Sequence, residues 1–264
     1  MTLVAINTPA PYCGYAQRID MKNQLNEKII DLLNLEPDRI YEILDFGCGS
    51  GLLLEDIKDR VSDGSKLVGL DSDGKSIENA KNSYSDINFI QNKFIDSFNF
   101  PDGSFDIIIS IDTLECIQNK TALINELHRI LKKEGHILFA HWDWDTQVYN
   151  SGNKNLIRKF VATFSDWQQE WMDACDGQMG RKLWAIFQGS GLFKGNMEIF
   201  SLLETDYSEG RYGYDRLKDL YGLVVNGKLD KDEYKIILDE MAELKEKNEY
   251  FYSLSSYIYI GKKA

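Results

Sequence analysis

The stretch ILDFGCGSG, Ile43 to Gly51, decides how the rest of the chain is read. Apolar Ile43 and Leu44 run into an acid, Asp45, and glycines then stand at alternate positions, Gly47, Gly49 and Gly51, ahead of the helically spaced run LLLEDIKDR. This reads as strand, tight turn, helix. Glycines so placed let the backbone take positive φ and approach a ligand closely, while the unpaired N–H groups of the helix start face outward. The ligand is expected at the carboxyl end of this strand.

Spacing separates two kinds of ligand. A dinucleotide turn of the form G-x-G-x-x-G would place its third glycine at position 52, but Leu52 stands there and Gly51 comes one residue early. Charge separates them again, because Asp45 favours an ammonium or sulfonium against the turn and repels a pyrophosphate. Twenty residues beyond Gly51, the apolar run KLVGLD ends in Asp71. An ionised carboxylate there offers two acceptor oxygens to the diol of a ribose. The next strand is expected over INFIQ, Ile87 to Gln91, and another over Phe105 to Ser110, after a turn at Pro101, Asp102 and Gly103.

The acid two residues before the first glycine, the G-x-G-x-G run and the stretch FPDGSFDIIIS together resemble the class I S-adenosylmethionine-dependent methyltransferases. The resemblance implies an α/β fold, a Rossmann-like doubly wound sheet of seven strands, mostly parallel with an antiparallel last strand, carrying helical lid insertions. It implies S-adenosylmethionine as cofactor and S-adenosylhomocysteine as product. Asp45, Gly47, Gly49 and Gly51 would face the methionine part, with Asp71 and neighbouring Ser72 at the ribose. Ile111, Asp112 and Thr113 would lie near the transferable methyl, a backbone carbonyl there meeting the cofactor's ammonium. Tyr12, Tyr15 and Arg18 would approach the methionine carboxylate from the amino-terminal segment. One position departs from the family pattern: Lys93 stands where an acid usually holds the adenine amino group, leaving Asn92, Phe94 backbone or Asp96 to do so.

Outward from the core, residues 1–38 are read as an amino-terminal cap with a helix over MKNQLNEKIIDLLNL, and residues 39–145 as the cofactor-binding core. A helix is expected over NKTALINELHRILKKEG, closed by Gly135 as its C-cap, followed by a fifth strand from His136 to Asp145. His141, Asp143 and Asp145 stand at the carboxyl end of that strand and are candidates for substrate contact or proton removal. Residues 146–180 and 206–248 exceed a minimal core and are read as lid insertions, with 251–263 as the last strand of what is in all a single domain. Between them, GRKLWAIFQGSGLFKGNMEIFSLLE is read as the last core helix and the sixth strand. Trp142, Trp144, Trp167 and Trp171 alternate with acids from Asp143 to Asp176. Such a stretch forms either a cation-holding wall or an amphipathic helix.

With 42 acids against 30 bases and a formal net charge of −12, the surface is unsuited to nucleic acid or anionic lipid, so the expected partner is a small molecule. The four cysteines, Cys13, Cys48, Cys116 and Cys175, form no C-x-x-C pair, and no metal site is expected. A reduced cytoplasmic setting is the default, since no export signal or membrane-spanning run is visible. The chemistry expected is methyl transfer to a nitrogen or oxygen nucleophile, the acids beside tryptophans favouring an amine, with hydroxyl and carboxylate acceptors kept open. Two alternatives remain at this stage: a NAD-dependent oxidoreductase on the same sheet, and a non-catalytic partner protein. Oligomeric state, monomer or homodimer, is not legible.

Overall fold

The computed structural model describes residues 19–93, 97–169, 172 and 174–264. Among them, seven strands form one sheet: β1 (Glu42–Phe46), β2 (Lys66–Asp71), β3 (Asn88–Gln91), β4 (Phe105–Ile111), β5 (Leu131–Tyr149), β6 (Phe193–Glu204) and β7 (Tyr252–Lys263). Their order is β3-β2-β1-β4-β5-β7-β6. The first five are parallel, and β7 inserts antiparallel to both β5 and β6. The chain runs outward from β1 to β3, then crosses back to place β4 on the other side of β1. Helices beginning on either side of that reversal diverge and leave a crevice outside the carboxyl ends of β1 and β4.

Parity along the strands assigns two apolar cores. Ile43, Ile107, Ile109, Leu138, Ala140, Trp142 and Trp144 face one side, with α2 (Leu52–Lys58), α3 (Gly74–Ser83) and the helix α1 (Ile19–Leu33). Leu44, Phe46, Ile108, Ile137 and Phe139 face the other, against α4 (Lys120–Ile130) and α6 (Met179–Phe187). A strand buried on both faces must be apolar at nearly every position, which is why β1 and β4 read as continuous hydrophobic runs.

Two sequence expectations are corrected here. Helix α4 ends at Ile130, and Leu131 already takes extended φ and ψ of −79° and 135° opposite Phe105 in the sheet. Gly135 therefore does not cap the helix; burying Leu131 completely outweighs one more helical turn of polar residues. The fifth strand is also longer than expected, continuing past Asp145 to Tyr149, with a register shift between Asp143 and Val148 against β7.

Beyond the parallel sheet, the projecting ends of β5, β6 and β7 carry α5 (Lys154–Ser165), α7 (Tyr212–Asp219), α8 (Tyr221–Val225) and α9 (Lys231–Glu246). Their apolar residues, among them Phe160, Leu217, Leu223, Tyr234 and Ile237, continue the core of the Trp142 face without a break. The α9 carboxylate of Glu240 ties this layer to the start of α5, accepting from Ser151 Oγ (2.7 Å), Gly152 N–H (2.6 Å) and Asn153 Nδ2 (3.1 Å). No helix among the described residues is long and apolar enough to cross a membrane.

Candidate active site

The carboxyl edge of β1, β2 and β4 brings most of the expected residues together. Gly47 N–H and Cys48 N–H both donate to Leu70 O, at 2.7 and 2.9 Å, so the turn folds back onto β2. Gly47 has φ of +82°, and a Cβ there would fall 1.9 Å from Thr113 Oγ1, so the position admits nothing larger. Gly49 differs: its φ is +53°, but a Cβ there would meet no atom within 4 Å. Its outward side is open space, where a ligand would lie. Gly51 has φ of +82° as the left-handed N-cap of α2 and packs against Phe89.

Asp71 is held so that its carboxylate faces this turn. Its Oδ2 accepts Gly49 N–H at 2.8 Å and its Oδ1 accepts Asp73 N–H at 2.9 Å. Each oxygen keeps a further lone pair for a diol. Asn92 N–H donates to Asp71 O at 2.8 Å, which brings the end of β3 alongside. Ser72 is exposed and its carbonyl accepts Gln91 Nε2 at 3.1 Å, while Lys93 is exposed beside Asn92. Asp45 is buried at 3% exposure beneath the turn. With Asp71 it raises the buried Cys48 thiol far above its usual range, burial being the larger cause. Tyr12, Tyr15, Arg18, Phe94 and Asp96 lie outside the described residues. The open side of Gly49, the paired lone pairs on Asp71 and the buried acid Asp45 fit a nucleoside carrying a cationic amino-acid tail.

Ile111 ends β4 half-buried, and Asp112 turns the chain with φ of +59°, a conformation that Asp tolerates and that gathers at functional sites. Its Oδ1 lies 3.2 Å from His141 Nδ1 and accepts Trp142 N–H at 3.4 Å. His141 Nδ1 also lies 2.8 Å from Trp142 O, a carbonyl that can only accept, so the proton is on Nδ1. Nε2 is buried and has no hydrogen-bond partner among the described residues.

The three acceptor-side candidates do not share one role. His141, Asp143 and Asp145 alternate along β5 and so point to the α6 side. Asp143 is fully buried, and both its oxygens accept from Arg181, Nε to Oδ2 and Nη2 to Oδ1 at 2.5 Å each. That is the geometry of a structural ion pair that locks α6 to β5. Asp145 accepts Gln178 Nε2 at 2.6 Å. The pleat sends Trp142 and Trp144 to the opposite face, where a cation from the chain itself takes the aromatic wall. The fully buried Arg216 guanidinium lies 4.9, 5.1 and 5.2 Å from the rings of Tyr212, Trp144 and Phe164 and 3.2 Å from Asp219.

Glu115, in the single 3-10 turn Leu114–Cys116 after β4, has no role in the sequence reading. Trp144 Nε1 donates to its Oε2 at 3.1 Å, and it lines a small cavity with Trp144, Phe164, Ser165, Trp167 and Cys175. Burial pushes its carboxyl up to about 7; Asp112 and Asp176 add to the rise while His141 and the Trp144 N–H oppose it. Among the described residues no group of three or more His, Cys, Asp or Glu is placed to hold a metal.

Comparison with known proteins agrees with this geometry. The family model described as a methyltransferase domain matches residues 38–191. Malonyl-[acyl-carrier protein] O-methyltransferase 2 of Ilyobacter polytropus is 33% identical over 114 residues, covering 42% of this chain and 43% of its own length. The chain spans about half the length of the curated relatives it matches. The YcgJ protein of Bacillus subtilis superposes with a TM-score of 0.58 at 17% identity, covering 91% of this chain and 98% of that one. The phosphoethanolamine N-methyltransferase 2 of Haemonchus contortus, solved in complex with S-adenosylhomocysteine, shares the fold at a TM-score of 0.53 and 15% identity, covering 91% of this chain and 53% of its own. The chain belongs to the class I S-adenosylmethionine-dependent methyltransferase family.

Proposed function

We propose that the chain methylates a nitrogen or oxygen nucleophile of a small molecule held between the carboxyl edge of the sheet and the helical layer of α5 and α7–α9, which serves as its lid. The observation that carries this reading is the Gly49–Asp71 contact, in which an open backbone turn and a ribose-ready carboxylate are fastened together at 2.8 Å. S-adenosylmethionine, when bound, supplies a methyl carbon already activated by the positive sulfur and a neutral thioether as leaving group. The residues of the chain then have three tasks. Asp71 orients the ribose, Asp45 complements positive charge at the turn, and the apolar layer from Trp144 to Phe164 excludes water from the reacting atoms. The formal net charge of −12 favours a neutral or cationic acceptor over a polyanion.

Calorimetry with S-adenosylhomocysteine tests the reading. Binding is expected in the wild type, with a loss of at least about tenfold in Asp71→Ala, since hydrogen bonds to a charged acceptor contribute about 1.5–3 kcal/mol. A folded wild-type protein that takes up no heat from the ligand would remove the proposal.

A further inference from the structure

Glu115 is a carboxyl buried at 8% exposure, where the Trp144 N–H and His141 offset only part of the cost of its burial. The Trp144 indole donates to its Oε2 at 3.1 Å. Among the described residues, the nearby arginine and lysines each have another partner. Arg216 lies against the Trp144 ring and pairs with Asp219, Lys182 pairs with Asp176 at 2.7 Å, and Lys120 donates to Ile117 O at 2.7 Å. Across the same cavity, Ser165 Oγ is buried without a partner in a residue at 2% exposure. The cavity measures ≈ 20 Å³, enough for one small polar head and too small for a ring. A buried carboxylate that is only partly compensated is costly, and a bound cation offsets that cost.

Resting on the methyl-transfer reading, we infer that the Glu115 cavity seats the nitrogen of an aliphatic amine acceptor and that Glu115 takes the proton which must leave before that nitrogen can attack. An alkylammonium donates one N–H to Oε1 and another to Ser165 Oγ. Its proton passes to the carboxylate, the N–H bond pair stays on nitrogen as the nucleophilic lone pair, and Glu115 becomes a neutral acid. A carboxylate acceptor is repelled here, and an alcohol leaves the anion uncompensated. The elevated proton affinity of Glu115, near 7, narrows the gap to an alkylammonium of about 10.4 and makes the transfer less uphill. The charged groups facing Glu115 are Asp112 from the end of β4, His141 from β5, Asp176 ahead of α6 and Lys120 from α4.

The test uses the full chain saturated with S-adenosylhomocysteine and two probes of equal size, propylammonium and 1-propanol, followed by tryptophan fluorescence. Near pH 8 the ammonium should bind at least about tenfold more tightly than the alcohol, and the preference should vanish in Glu115→Gln that still binds S-adenosylhomocysteine. In the wild type it should fade below about pH 6 as Glu115 takes up its proton, because the ammonium itself does not titrate there. Equal binding of the two probes by wild type that does hold S-adenosylhomocysteine overturns the amine assignment and leaves the cofactor site standing. Failure to bind S-adenosylhomocysteine overturns both. Should Glu115→Gln not fold, the wild-type probe pair and its pH series decide alone.

Discussion

Two glycines of the turn show that one residue type serves different ends, and substitution should separate them. An alanine at Gly47 would force its Cβ into Thr113, which is itself wedged against Phe46 O and Ile111 O. Gly47→Ala is therefore expected to destabilise the fold by on the order of 3 kcal/mol, visible as a lowered melting temperature. Gly49→Ala meets no neighbour, so its cost is backbone strain of about 1 kcal/mol, while the added methyl enters the ligand's space and weakens S-adenosylhomocysteine binding. Glu115 offers a second residue-level test. Its folded pKa is raised, so the folded state binds a proton that the unfolded state has already lost; stability is fully present below about 4.5 and is lost as pH rises through about 7. Glu115→Gln should abolish that decline and be the more stable protein near pH 8, by on the order of 2 kcal/mol in chemical denaturation. The place of Asp71 beside the glycine turn was legible because it ends the apolar run KLVGLD, which pairs with the strand ahead of that turn. Glu115 was not, because the partner that makes it unusual, the Trp144 indole, comes 29 residues later and meets it only in three dimensions.

Among elements, strand parity decides where the candidates on β5 lie. His141, Asp143 and Asp145 were read as a strand end, but β5 continues to Tyr149; alternation commits all three to the face that α6 covers, and Arg181 on that helix pairs with Asp143. Nothing local in HWDWD says which face α6 takes, since that depends on a crossover more than thirty residues on. The helical layer raises a parallel question, whether its parts move together. Glu240 is the joint between α5 and α9, and although burial works against its charged form, the bonds from Ser151, Asn153 and Gly152 hold its carboxyl below the usual range. Glu240→Ala should cost about 1–3 kcal/mol by leaving those donors unmatched, a drop of several degrees in Tm for a chain of this size. In the wild type this contribution is present above the ordinary glutamate pKa and disappears as the medium is acidified through the lowered one, so the mutant should show the smaller loss on going to low pH.

Across the whole molecule, the places of the strands follow from patterns written into the chain, continuous apolar runs for buried parallel strands and alternation for FYSLSSYIYIGKK, while the count of seven and the antiparallel β7 were implied by the family resemblance. The helical layer was visible as an excess of amphipathic residues and was read as a lid, but the cation against its aromatic side chains is the chain's own Arg216, which lies against Trp144, Phe164 and Tyr212. In the function proposed above, what links fold to chemistry is the carboxyl edge of the sheet, with a nucleoside at Asp71 and an acceptor beside Glu115. A crystal structure of the complex with S-adenosylhomocysteine is the most direct test. The account predicts the ribose diol on Asp71, the backbone of Gly49 against the amino-acid tail, and the sulfur turned toward Asp112 and Glu115. Density for the ligand anywhere other than over that glycine turn, or a ribose that leaves Asp71 untouched, would contradict it.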